Sequence, residues 1–228
     1  MPDTAVVGLV TIGQSPRSDV VPDMAAILGP SVAIREAGAL DGLARADIDA
    51  LAPSGDDEIL VTRLRDGASV FLGKPRIVRL VEARIAALEH DGATLTALLC
   101  TGAFPRLRAT RPLIQPQPLL LGLLRAMSWS GRLGVLTPSL RHVPQTEARW
   151  RRDGFDAVVA PLSPYEEEDA AALQRAAAAM RDGGAGVIVM DCMGFRRKTR
   201  EELRALSGVP VFLSNLLLAR VIAEACGA

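Results

Sequence analysis

Cys100 and Cys192 each follow a short apolar run and each precede a glycine by two residues, in Leu99-Cys-Thr-Gly102 and Asp191-Cys-Met-Gly194. A thiol works as a base or nucleophile only as the thiolate, and its free pKa of about 8.5 must fall for that. Two such groups on opposite sides of a carbon acid could take a proton from one face and return one to the other. That is the requirement of an amino-acid racemase or epimerase. Cys226 lies near the end of the last helical pattern and reads as packing or surface. Three cysteines do not make a disulfide framework, and a reducing compartment suits them better.

A substrate carboxylate would need N–H groups and small hydroxyls around it. Gln14-Ser15, Thr101-Gly102 and Ser214-Asn215 offer them, each just after an apolar run. Thr11 and Thr137 end comparable runs in the two halves, and Met193 and Gly194 follow the second cysteine; all four join the expected substrate contacts. Arg17 is the candidate carboxylate anchor. Asp191 adjoins Cys192; strand alternation would point it away from the cleft, and orienting or deprotonating a neighbour is the alternative. Asn215 also has the type and place of a helix cap, and Arg196-Arg-Lys198 reads as solvated charge. Neither G-x-G-x-x-G nor G-x-x-x-x-G-K-[ST] occurs, so no nucleotide or other cofactor is expected. His90 and His142 stand alone, without the close spacing of a metal site.

Alternating strands and helices must position these residues. Ala5–Thr11 reads as a buried strand, and Ser18 or Asp19 can cap a helix over Val21–Leu28. Glu58–Leu64 and Ala68–Leu72 flank Asp66-Gly67 as a hairpin. A helix runs from Lys74 to His90, with Ile77, Leu80, Val81, Ile85 and Leu88 on one face. Leu95–Cys100 is a strand, and Pro105–Pro118, with four prolines, is a linker candidate. Then follow a helix over 119–127, strands over 132–136 and 157–160, and helices over 144–152 and 170–180. A strand over 187–191 precedes a helix begun by a Thr199–Glu202 capping box. A last strand, Val209–Leu213, leads to a helix capped by Ser214-Asn215 that reaches about Ala225. Both cysteines then end strands before a turn into a helix, whose N-terminal dipole would favour a thiolate.

Val7-Gly-Leu-Val-Thr11 resembles Leu133-Gly-Val-Leu-Thr137, and in each half a Cys-x-Gly strand end follows later in the same order. The expected fold is therefore α/β, with two pseudo-symmetric parallel-sheet domains facing across a cleft, one cysteine on each wall. The expected division is 1–118 for the first domain and 119–213 for the second.

Four segments carry a family resemblance: Gly8-Leu-Val-Thr-Ile-Gly-Gln-Ser-Pro-Arg17, Val61-Thr-Arg-Leu-Arg-Asp-Gly67, Asp191-Cys-Met-Gly-Phe195 and Leu213-Ser-Asn-Leu-Leu-Leu-Ala-Arg220. Over essentially the whole length the chain resembles the AroM family. The resemblance implies the aspartate/glutamate/hydantoin racemase superfamily, which pairs two α/β domains and uses a cysteine from each. Cys100 and Cys192 match that pair. It also implies that 214–228 returns to the first domain, and that a homo-oligomer is open. Maleate isomerases and arylmalonate decarboxylases share the superfamily, so cis–trans isomerisation and decarboxylation stand as alternatives, as does a non-catalytic metabolite-binding protein.

Lys plus Arg equals Asp plus Glu at 26 each, so no net field draws nucleic acid or an anionic membrane. The apolar runs fall far short of the ~20 residues of a membrane span. A small carboxylate in the cytoplasm is the expected partner and address.

Overall fold

The computed structural model describes residues 5–166 and 169–228. The chain divides into two compact units: residues up to Leu119 with Leu218–Ala228, and Leu120–Leu217. The first contains β1 (Ala5–Thr11), α1 (Val21–Leu28), β2 (Val32–Gly38), α2 (Arg45–Asp49), β3 (Ile59–Arg63), β4 (Ser69–Gly73), α3 (Lys74–His90), β5 (Leu95–Leu99) and β6 (Leu113–Ile114). Helix α4 (Pro116–Arg125) leads into the second, with β7 (Arg132–Thr137), α5 (Val143–Arg152), β8 (Ala157–Pro161), α6 (Ala170–Asp182), β9 (Ala185–Met190), α7 (Arg197–Ser207) and β10 (Val211–Leu213). Helix α8 (Ser214–Cys226) starts there and ends with the first unit. No helix among the described residues is long and apolar enough to cross a membrane.

Each unit is built on a four-stranded parallel sheet, ordered β2-β1-β5-β6 in one and β8-β7-β9-β10 in the other. Setting aside the antiparallel hairpin β3–β4, both orders run second, first, third, fourth. The short sequence echo thus falls on equivalent strands: β1 and β7 end in the threonines, and β5 and β9 lead into the cysteines. In this order the first and third strands are central neighbours, the place where open α/β sheets bind ligands at carboxyl ends.

Local chemistry explains the elements. Ile77, Val81, Ile85 and Leu88 recur at helical spacing and are all buried, packing with Val10, Leu72 and Leu98 into one core. The second core gathers Leu133, Val135, Val187 and Val189 around Trp150, with Phe155 edge-on to that indole at 5.7 Å. Gly67 turns the hairpin at φ +90°, where a side chain is strained.

Four readings of the sequence need correction. Val20 is the N-cap of α1 and has no side-chain cap, because Asp19 bonds to Arg17 instead. The Thr199 capping box does not form; α7 already begins at Arg197. The proline-rich stretch is no linker, since its Leu113–Ile114 pairs with β5 as the fourth strand. Ser214 and Asn215 do not cap α8 but bond back to the strand and loop before it.

Gly8 and Gly134, equivalent in the echo, let a helix lie close on the sheet. A Cβ on Gly8 would stand 3.1 Å from Leu88 Cβ of α3, and one on Gly134 2.7 Å from Met180 Sδ of α6 and 2.8 Å from Ile188 Cγ1. Overpacking of this kind costs about 1–3 kcal/mol. Gly134→Ala is therefore expected to lower the urea-unfolding free energy by about that amount; an unchanged midpoint would mean that α6 moves aside freely.

Candidate active site

In the first unit Thr11 pairs in register with Leu99, so the threonine and Cys100 leave the sheet side by side. Cys100 is buried, and the Gly102 N–H donates to its Sγ at 3.4 Å. A Cβ at position 102 would come within 2.8 Å of Leu60 Cδ2. The glycine of this Cys-x-Gly therefore lets the chain fold over the sulfur and bring it a main-chain donor. Lys74 holds the next turn, its Nζ donating to Ala103 O at 2.7 Å and pairing with Glu58.

The loop after β1 is tied together internally. Ser15 donates its N–H and Oγ–H to Asp41, at 2.9 and 2.5 Å. Gln14 accepts the Arg65 N–H through Oε1 at 2.9 Å. Arg17 is 3% exposed; it forks onto the two oxygens of Asp19 at 2.8 and 2.9 Å and donates to Thr11 Oγ1 at 3.0 Å. Burial alone would raise the Asp19 carboxyl, but the Arg17 hydrogen bond and charge outweigh it and hold the group below its ordinary range.

In the second unit Cys192 is likewise buried, and its Sγ lies 3.6 Å from the Tyr165 hydroxyl. Asn215 Nδ2 donates to Met193 O and Phe195 O, both at 2.8 Å, and Ser214 Oγ donates to Met190 O at 2.7 Å. These two side chains clasp the cysteine loop on both sides. Thr137 Oγ1 meets Thr146 Oγ1 at 3.0 Å. Asp191 pairs with Arg149 and accepts from Trp150 Nε1 at 3.2 Å. Beside the cysteine loop lies a cavity of about 350 Å³, whose lining includes Leu162, Ser163, Leu173, Phe195, Lys198 and Glu202.

The two thiols are not equally placed toward helices. Cys192 precedes α7 by a short turn, whereas Cys100 is followed by an irregular segment and then β6. The expected helix dipole is thus missing at Cys100. Prolines interrupt that segment, and α3 ties it down: Glu82 accepts the Arg108 N–H at 3.0 Å, and Glu89 accepts those of Thr110 and Arg111, both at 2.9 Å. Burial pushes the Cys226 thiol up, in keeping with a packing role. Tyr165 escaped the sequence reading; its signal was being the chain's only tyrosine, in a Ser-Pro-Tyr loop after a strand. No group of three or more His, Cys, Asp or Glu among the described residues could hold a metal ion.

A parallel sheet used twice in the same strand order, with a buried thiol after each third strand, is the class of α/β fold that this chain presents. The chain belongs to the AroM protein family, whose model matches residues 7–226. Among solved structures, the maleate isomerase Iso from Pseudomonas putida S16 is similar with a TM-score of 0.65 and 15% identity, over 98% of this chain and 93% of that one. An unliganded arylmalonate decarboxylase gives 0.63 and 17%, over 99% and 93%. The allantoin racemase from Klebsiella pneumoniae gives 0.60 and 16%, over 97% and 86%. No curated protein matches in sequence.

Asp19 generates a pH prediction. Its depressed folded pKa means that the unfolded chain takes up the proton first, near pH 3.9. The stability it contributes is present above that pH and is lost as pH falls through the folded value. Asp19→Asn should therefore unfold earlier than the parent in urea at neutral pH, with the difference shrinking below about pH 3. A gap of equal size at both pH values would remove Asp19 from the acid limb.

Proposed function

We propose that this chain is a cofactor-independent racemase or epimerase of a small carboxylate bearing an acidic Cα–H, with Cys100 and Cys192 as base and acid. The observation that carries the reading is the equivalence of the two sulfurs, each following the third strand of a sheet with the same order. One thiolate takes the Cα proton and becomes a thiol, and the electron pair left on carbon spreads into the substrate carboxylate. The other thiol delivers its own proton to the opposite face and is left as the thiolate. The reverse reaction exchanges the roles.

Preorganised donors stabilise such a carbanion because they need not reorient as charge develops. Gln14 keeps its Nε2 donor uncommitted among the described residues and heads the carboxylate contacts with Thr101, whereas Ser15 spends its two donors on Asp41 and the Gly102 N–H goes to Cys100 Sγ. Thr11 is held toward the strand end by Arg17. Thr137, Met193 and Gly194 complete the contacts, on a loop clasped by Asn215. Likeness to a racemase, an isomerase and a decarboxylase supports proton and carbon-acid chemistry on this frame.

The test is incubation in D₂O with a panel of amino acids, hydantoins and small dicarboxylates, followed by NMR. Loss of the Cα–H signal without loss of carbon dioxide is expected. Cys100→Ser and Cys192→Ser should each lower it by about 100-fold or more. Release of carbon dioxide or a change of alkene geometry would replace racemisation by decarboxylation or isomerisation. Silence across the panel, with ligand-induced thermal shifts intact in both variants, would make the protein a metabolite binder.

A further inference from the structure

The two cysteines differ in what meets the sulfur. Cys100 receives a main-chain N–H, whereas Cys192 faces a phenol, the Tyr165 hydroxyl at 3.6 Å. Tyr165 is half-buried in the loop after β8, its N–H donating to Ser163 Oγ at 3.3 Å. Gly194 admits the ring: a Cβ there would lie 2.6, 2.8 and 2.9 Å from Tyr165 Cε1, Cζ and Oη. No side chain larger than hydrogen fits while the phenol stays where it is. The second Cys-x-Gly thus seats a tyrosine over its own sulfur.

We propose that Tyr165 is a positioning residue for Cys192, its O–H donating to the Cys192 thiolate and fixing the direction from which the sulfur takes up a proton. The role rests on the reading of Cys192 as an acid/base thiol. A phenol is donor and acceptor at once and ordinarily holds its proton to about pH 10. It can therefore accept from the thiol S–H and, when that proton has gone to the substrate, turn its own O–H toward the sulfur. The proton that moves is exchanged between the sulfur and the substrate carbon, and the phenol keeps its own throughout. A hydrogen bond to an ion is stronger than one to a neutral group, so the contact favours the thiolate. A ring that only packed on Gly194 would do none of this, and phenylalanine would serve equally.

The experiment needs no substrate. In the full chain carrying Cys100→Ser and Cys226→Ser, Cys192 is the one remaining thiol, and its alkylation by iodoacetamide is followed between about pH 5 and pH 10. The plateau rate reports access, and the half-point reports the thiolate. Tyr165→Phe is expected to move the half-point up by about one pH unit, a roughly tenfold slower reaction near neutrality. Gly194→Ala, which displaces the ring but keeps the hydroxyl, should move it the same way. A Tyr165→Phe profile superimposable on the parent's, with an unchanged thermal midpoint, would overturn the proposal. So would a shift in the plateau alone. A shifted half-point beside absent deuterium exchange would count against the racemase reading and leave the contact standing.

Discussion

A parallel strand covered on both faces has nowhere to place polar chemistry except its ends, and the rest of this molecule follows from that constraint. The central strands are almost wholly apolar because helices lie on them. Their main-chain groups are consumed by the ladder up to Thr11, Leu99, Thr137 and Met190. Beyond those residues the backbone is free to turn, and threonine, cysteine and glycine follow at once. A thiol one step further back would point into a core; one several steps further on would ride on a loop. Standing directly after the third strand, each sulfur inherits the rigidity of the sheet and still lies outside the ladder.

The strand-end loops are then held by side chains that the ladder cannot supply. In the first unit the clamps are ionic: Asp41 on Ser15 and Gly38, Arg17 on Asp19 and Thr11, Lys74 on Ala103. In the second they are largely neutral, with Ser214 and Asn215 reaching from the start of α8 to three carbonyls of β9 and the cysteine loop. Asn215 is almost fully buried, and its Oδ1 has no hydrogen-bond partner among the described residues. The two copies of one topology have thus solved the same local problem with different chemistry.

Much of the fold was legible for a physical reason: strong periodicity. Helix α3 has four buried residues at helical spacing, and its observed ends, Lys74 and His90, are those read from the sequence. Hairpin β3–β4 was announced by Asp66-Gly67. Strand β2 was missed because it is an edge, in which the adjacent Arg35 and Glu36 break any apolar run. Strand β6 was missed because two residues between prolines carry no period at all. Caps were misread where a nearer partner existed: Asp19 found Arg17, and Asn215 found two carbonyls. The cysteines, threonines and glycines could be placed at strand ends from local pattern. Tyr165 could not be joined to Cys192, because their meeting depends on how two loops from different strands fold toward each other.

Because Leu218–Ala228 belongs with the residues up to Leu119, the second unit is an insertion within the first. Leu218, Ala219 and Ile222 are fully buried, so the first unit lacks part of its interior until this stretch has been made. The inserted unit, by contrast, is contiguous and has all its strands once Leu213 is in place. During synthesis from the N-terminus, the unit begun second is therefore the one completed first. The earlier half gains the last stretch of its interior only with Leu218–Ala228.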